Sequence, residues 1–260
     1  MLPASHQDFL HHATAVVAAT PGLVGLAVGG SWLDGTADEF SDLDLVLVVD
    51  PAHAAAVTAQ RPAVAAALGP LLACFTGEHV GEPRLLVCLY DGDPPLHVDL
   101  KFVELPDLAR RIETPQVLWQ RGTAVGEALA ATAPQPLALD AGWLEDRFWV
   151  WVHYAATKLG RGELLEVVSF LDFLRTTALG PLLAARHGHP PRGVRRLEQL
   201  LPPAELDALH ATLATPDAAS CAHALRAAIE LYRRLRPAGA ERQSAAEQKA
   251  VAYLEAVAAR

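Results

Sequence analysis

The stretch GGSWLDGTADEFSDLDLVLVVD, residues 29–50, decides how the chain reads. Its last third, LDLVLVVD (43–50), is a short apolar run rich in valine and leucine, which predicts a strand closed by Pro51. Side chains two apart on a strand share a face, so Asp42 and Asp44 point one way while Leu43 and Leu45 point into a core. Two carboxylates on one face at the mouth of a strand repel each other, so the pair reads either as a solvated strand end or as ligands of a balancing cation. Upstream, LVGLAV (23–28) reads as a buried strand, and Gly29-Gly30-Ser31 after it demands a tight turn. The polar segment from Trp32 to Glu39 predicts helix at its start.

On either side of this stretch, helices are predicted over 4–20, stopped by Thr20-Pro21-Gly22, and over the alanine-rich 52–68. RLLVCLYDG (84–92) and LHVDLKFVEL (96–105) predict two strands joined by a turn at Gly92-Asp93-Pro94-Pro95. On the second of them His97, Asp99 and Lys101 share a face, opposite Val98, Leu100 and Phe102. VLWQRG (117–122) reads as a last strand before a small helix at 124–131. The prolines of ATAPQPLALD (131–140) mark a boundary near 135, beyond which the strand signal vanishes. Helices are expected from 143 to about 160, from Glu163 onward, and over 204–214, 217–236 and 241–259. The expected fold is therefore α+β: a mixed twisted sheet flanked by helices in 1–135, then an all-helical bundle in 136–260.

Composition narrows the class. The chain has 260 residues, 52% of them hydrophobic and 20% charged, enough apolar material for packed cores. A formal net charge of -9 argues against a nonspecific nucleic-acid binder, which needs a basic face. The 3 cysteines, Cys74, Cys88 and Cys221, have neither disulfide nor zinc spacing, and Cys88 reads as core. The N-terminal MLPASHQDFLHH lacks the basic start and apolar centre of a signal peptide, and no apolar run reads as a membrane span. A cytoplasmic location is the expectation.

If the two carboxylate-bearing strands are neighbours, Asp42, Asp44 and Asp99 converge. Hard oxygen donors select Mg²⁺, or Mn²⁺, and a pair of such ions suits a nucleoside triphosphate and an attacking hydroxyl in one in-line displacement. Gly30 lets backbone approach an anion, and Ser31 can donate to phosphate oxygens from its hydroxyl and amide. Gly35 allows the turn to return towards Ser41. On the helix beginning near 143, Arg147, Trp151, Tyr154, Lys158 and Arg161 recur at three- and four-residue steps and line one face, opposite Phe148, Val152, Ala155 and Leu159. Such a stripe is either a solvated basic face or a contact for triphosphate and base. Glu163 and Glu166 near the start of the next helix suit its dipole. Asp172, flanked by apolar neighbours, reads as partly enclosed, or as a partner of Arg175 or Arg195. His97 shares the Asp99 face, and Trp32 adjoins Ser31.

The order Gly30-Ser31, Gly35, Ser41-Asp42-Leu43-Asp44, with Asp99 in HVDLKF, resembles the signature of the DNA polymerase β-type nucleotidyltransferase superfamily. Within it, GGSWLDGTADEFSDLDLVLVV is similar to bacterial drug-modifying adenylyltransferases of the streptomycin 6-adenylyltransferase and lincosamide nucleotidyltransferase type. FWVWVHYAATKLGRGELLEVV (148–168) resembles their helical domain. The resemblance implies that Asp42, Asp44 and Asp99 bind two Mg²⁺, that Gly30 and Ser31 hold the β- and γ-phosphates, and that Asp99 helps deprotonate the acceptor. It further implies nucleotide contacts from Lys158 and Tyr154, and acceptor binding or base catalysis by Glu163 or its rival Asp172. The implied partners are a nucleoside triphosphate, ATP first, and a small hydroxylated acceptor such as an aminoglycoside or lincosamide, with neither nucleic acid nor membrane. Two further readings use the same residues. One is a catalytically silent nucleotide or ligand sensor on this fold, against which the complete carboxylate set counts. The other is an enzyme that adenylylates a protein, against which the large helical half counts.

Overall fold

The structure is a computed structural model that describes residues 3–236 and 242–260. The chain divides into two compact units, Met1–Pro136 and Leu137–Arg260.

The first unit is built on a mixed six-stranded sheet. Its strands are β1 (Leu23–Val28), β2 (Leu43–Val49), β3 (Leu71–Gly77), β4 (Glu82–Tyr90), β5 (Leu96–Glu104) and β6 (Gln116–Gln120), in the spatial order β3-β4-β5-β2-β1-β6. β2 and β5 run parallel at the centre, and every other pair is antiparallel. Alternation along β2 makes the two faces: Leu43, Leu45, Leu47 and Val49 are buried on one, Val48 on the other. On the first face α1 (Ala4–Ala19) and α2 (Ala54–Ala67) cover the core, α1 through Leu10, Ala13 and Val17. On the second, α3 (Ala124–Ala131) and a 3-10 turn at Leu105–Ala109 cover a smaller cluster of Val48, Val103, Leu108, Val125 and Leu129. Gly25 admits α3 there, since a β-carbon at that position would lie 2.7 Å from Val125 Cγ2. Asp44 and Asp99 belong to this second face, at the end that this small cluster does not occupy.

The strand and helix expectations in this unit have observed counterparts, with one omission. β3 was not expected, and the reason is physical. It is an edge strand with a register shift at each end, and it leaves Leu72, Ala73 and Phe75 exposed, so its burial lacks the period of two that marks a half-buried strand. The segment expected to begin as helix at Trp32 starts earlier and shorter, as a 3-10 turn at Gly30–Trp32.

Among its described residues the second unit is all helical: α4 (Ala141–Gly160), α5 (Leu164–Leu174), α6 (Gly180–Arg186), α7 (Leu197–Leu200), α8 (Pro203–His210), α9 (Ala218–Leu235) and α10 (Ser244–Ala258). Residue 241, the expected start of the last helix, lies outside the described residues. A π-helical turn at Arg175–Leu179 joins α5 to α6 without a break. The resulting helical run Leu164–Arg186 is long and apolar enough, by length and composition, to cross a bilayer, which corrects the expectation that no such run exists. Most of it is buried inside this unit, and its apolar side chains are core. Phe148, Val152, Ala155 and Leu159 are buried as the helical period requires, and Phe148 stacks on Tyr232 with ring centroids 3.6 Å apart.

Glu145 is the unexpected member of this core. It is 1% exposed, and its carboxylate accepts from Trp149 Nε1 (3.1 Å), the Tyr232 hydroxyl (2.8 Å) and the Gln243 backbone N–H (3.1 Å). Arg236 Nε lies 3.3 Å from Oε2 but off the hydrogen-bond line, while Arg236 Nη2 donates to Glu247 at 2.6 Å. Glu145→Ala leaves a buried guanidinium and hydroxyl without this partner, a loss worth about 3–5 kcal/mol. The expected result, by calorimetry, is a fall of roughly 10 °C or more in the melting temperature of the second unit, with a smaller fall for Glu145→Gln.

Candidate active site

The parallel pairing of β2 with β5 sets Asp44 directly beside Asp99, and Asp42 immediately precedes β2 on the same side. One carboxylate oxygen from each of Asp42, Asp44 and Asp99 lies within 4.8 Å of the others, and all three residues are partly exposed. Each such pair repels by about 1 kcal/mol in water and about 3.5 kcal/mol at an effective dielectric of 20. This donor set fits a hard divalent ion. Oxygens around one octahedral Mg²⁺ are about 3.0 Å apart when adjacent and about 4.2 Å apart when opposite, for a bond of ~2.1 Å, so these oxygens must draw in to share a single ion.

Asp99 is oriented by its own strand. His97 Nε2 is 3.0 Å from Asp99 Oδ1, and because a carboxylate only accepts, that nitrogen carries the proton. Two residues further on, Lys101 pairs with Glu82 at 2.9 Å. The hydrogen bond from Arg84, reinforced by Lys101, lowers the pKa of Glu82 to about 2. Glu82 is thereby committed to its two cations.

The turn between β1 and β2 brings backbone against the acids. Gly29 N–H donates to the Asp44 carbonyl at 2.9 Å. Gly30 has φ +63°, in the left-handed region, and a β-carbon there would sit 1.9 Å from Asp44 Oδ2. Ser31 and Trp32 complete the 3-10 turn, and Trp32 Nε1 donates to Gln116 Oε1 at 2.7 Å. Gly35 also has positive φ, +65°, with open space around its α-carbon. A second turn, Asp38–Ser41, is closed by Ser41 N–H to the Asp38 carbonyl (3.2 Å), Phe40 N–H to Asp38 Oδ1 (3.0 Å) and Ser41 Oγ to the same oxygen (3.0 Å).

Sequence reasoning missed Glu113. Its Oε1 accepts from the Gly30 N–H at 2.9 Å, so a carboxylate occupies the anion-receiving side of the turn. It lies in a short loop before β6, where periodicity carries no signal, and only the pairing of β6 with β1 brings it to Gly30.

The remaining expected residues lie in the second unit. Lys158 Nζ donates to Glu163 Oε2 at 2.7 Å, which raises the lysine pKa and lowers that of the glutamate. The Tyr154 hydroxyl donates to Glu166 Oε1 at 2.8 Å, and that bond raises the tyrosine pKa. Asp172 is exposed, not partly enclosed: it falls on the solvent side of α5 and pairs with Arg175 Nη2 at 3.3 Å. Helical phase explains the correction, since Leu171 and Leu174 take the core side.

Among solved structures, the chain is similar to nucleotidyltransferases. One is an aminoglycoside 6-adenyltransferase from Bacillus subtilis, 13% identical, with 95% of this chain and 94% of that chain covered and a TM-score of 0.35. Another is a nucleotidyltransferase-like protein from Exiguobacterium sibiricum, 15% identical, with 95% and 78% covered and a TM-score of 0.41. No family model and no curated protein matches the sequence. At these scores neither likeness bears on the chemistry, which rests on the carboxylates and the turn that faces them.

Proposed function

We propose that the first unit is a metal-dependent nucleotidyltransferase that passes a nucleoside monophosphate, AMP from ATP in the first instance, to a hydroxyl of a small molecule and releases pyrophosphate. One observation carries the reading: Asp42, Asp44 and Asp99 converge beside the Gly30 turn. Asp42, Asp44 and Asp99 would hold Mg²⁺, two ions in the full reading, and the bound metal would offset triphosphate charge and acidify the acceptor hydroxyl. Ser31, and Gly30 once phosphate displaces Glu113 from its N–H, would offer donors to the β- and γ-phosphates. The acceptor oxygen forms a bond to the α-phosphorus, the bond from that phosphorus to its bridging oxygen breaks, and pyrophosphate leaves with the electron pair. Asp99 takes the hydroxyl proton, and His97 fixes the carboxylate that receives it. The residues that perform the step sit on or beside paired strands, which suits catalysis by positioning.

The test is pyrophosphate release from ATP, GTP, CTP and UTP, with Mg²⁺ or Mn²⁺, against a panel of hydroxylated metabolites with aminoglycosides and lincosamides among them. Metal-dependent release with at least one acceptor is the expected result. Binding of a triphosphate with no release for any acceptor would favour a sensor.

A further inference from the structure

We propose that His6 is a positioning residue of this site, holding the segment that delivers Asp42; the inference rests on the nucleotidyl-transfer reading above. Asp44 and Asp99 are fixed by the parallel ladder, residue against residue. Asp42 is not: β2 begins at Leu43, so the placement of Asp42 depends on the Asp38–Ser41 turn before it. Asp38, Glu39 and Phe40 of that turn are exposed, and the hydrogen bonds described above run within it.

His6 supplies an anchor from outside the turn. It is 4% exposed, and its Nε2 is 2.8 Å from the carbonyl oxygen of Ser41, the residue next to Asp42. A carbonyl only accepts, so Nε2 carries the proton, and Nδ1 is left to accept from Ser5 Oγ at 3.3 Å. The imidazole is rigid because its helix is. His6, Leu10, Ala13 and Val17 form one stripe on α1, and the last three pack into the core under the sheet. A polar residue on an apolar stripe, bonded to backbone 35 residues away, thus does for Asp42 what strand pairing does for its two partners. Displacing a catalytic group by about 1 Å can cost on the order of 100-fold in rate.

The experiment compares wild type, His6→Leu, which keeps apolar bulk without the donor, and His6→Gln, which restores an N–H. Hydrogen exchange is followed across residues 38–44, and Mn²⁺ binding is measured by paramagnetic resonance with a non-hydrolysable ATP analogue. His6→Leu should accelerate exchange in that segment and weaken Mn²⁺ binding about tenfold while the melting temperature stays near wild type, and His6→Gln should recover most of both. Where His6→Leu does not fold, His6→Met takes its place. Wild-type exchange and Mn²⁺ affinity in the donor-less variant would overturn the inference, as would a glutamine variant no better than leucine. A wild-type protein that binds no Mn²⁺ with the analogue removes the catalytic reading and this inference together.

Discussion

Gly30→Ala is expected to lower metal-dependent turnover by on the order of 100-fold or more, while Gly35→Ala leaves it within about threefold. Both glycines have nearly the same left-handed φ, +63° and +65°, so alanine brings the same backbone strain to each, about 1–2 kcal/mol. They differ in what the new methyl meets. At Gly35 there is open space; at Gly30 the methyl falls 1.9 Å from Asp44 Oδ2 and 3.0 Å from Asp44 Cγ. The clash is with the end of a side chain, so the carboxylate is what must shift, and when it swings aside it leaves Asp42 and Asp99. Calorimetry should therefore find similar destabilisation in the two variants, and Mn²⁺ binding should separate them. Equal Mn²⁺ binding in both would show that Asp44 accommodates the methyl without leaving the cluster, against the proposal that this turn and these acids form one site.

The same contrast shows how much of the site was legible in the sequence. The strand period of two places Asp42 with Asp44, and Asp99 with His97, and sheet pairing joins the two sets in the observed register. Residues whose roles depend on contacts across loops left no comparable trace. Glu113 reaches Gly30 only because β6 pairs with β1, and the sequence around it has no period to read. His6 does leave a mark, a polar residue in step with Leu10, Ala13 and Val17, but its partner is a backbone carbonyl, which no residue identity announces.

The fold follows the same division. Interior elements were legible because burial imposes a period: the alternation in β2, and the Phe148, Val152, Ala155, Leu159 stripe in α4. β3 was not, because an edge strand with Leu72 and Phe75 exposed has little burial to impose one. The enclosure expected for Asp172 went astray for a related reason, whereas the alternative pairing with Arg175 is observed. Apolar neighbours in sequence suggest enclosure, yet on a helix adjacent residues point about 100° apart, so Leu171 can be core while Asp172 and Phe173 face solvent.

Asp42→Asn is expected to lower turnover by on the order of 1000-fold or more and to leave the fold intact. Asparagine keeps the size of the side chain and one acceptor oxygen but removes the negative charge, and with it much of the attraction for a divalent cation. In the absence of metal, the substitution also takes one charge out of a mutually repelling set, so the melting temperature of the first unit should equal or exceed that of wild type. Adding Mg²⁺ with nucleotide should then raise the wild-type melting temperature and leave the variant nearly unchanged, since only a state that binds ligand is stabilised by it. This pairing of a preserved fold with lost turnover separates a catalytic carboxylate from a structural one. A structural aspartate at the head of β2 would lose stability when neutralised, and activity would fall only in proportion to the protein unfolded. Normal pyrophosphate release from the well-folded Asp42→Asn protein would leave the convergence of the three aspartates without a catalytic purpose.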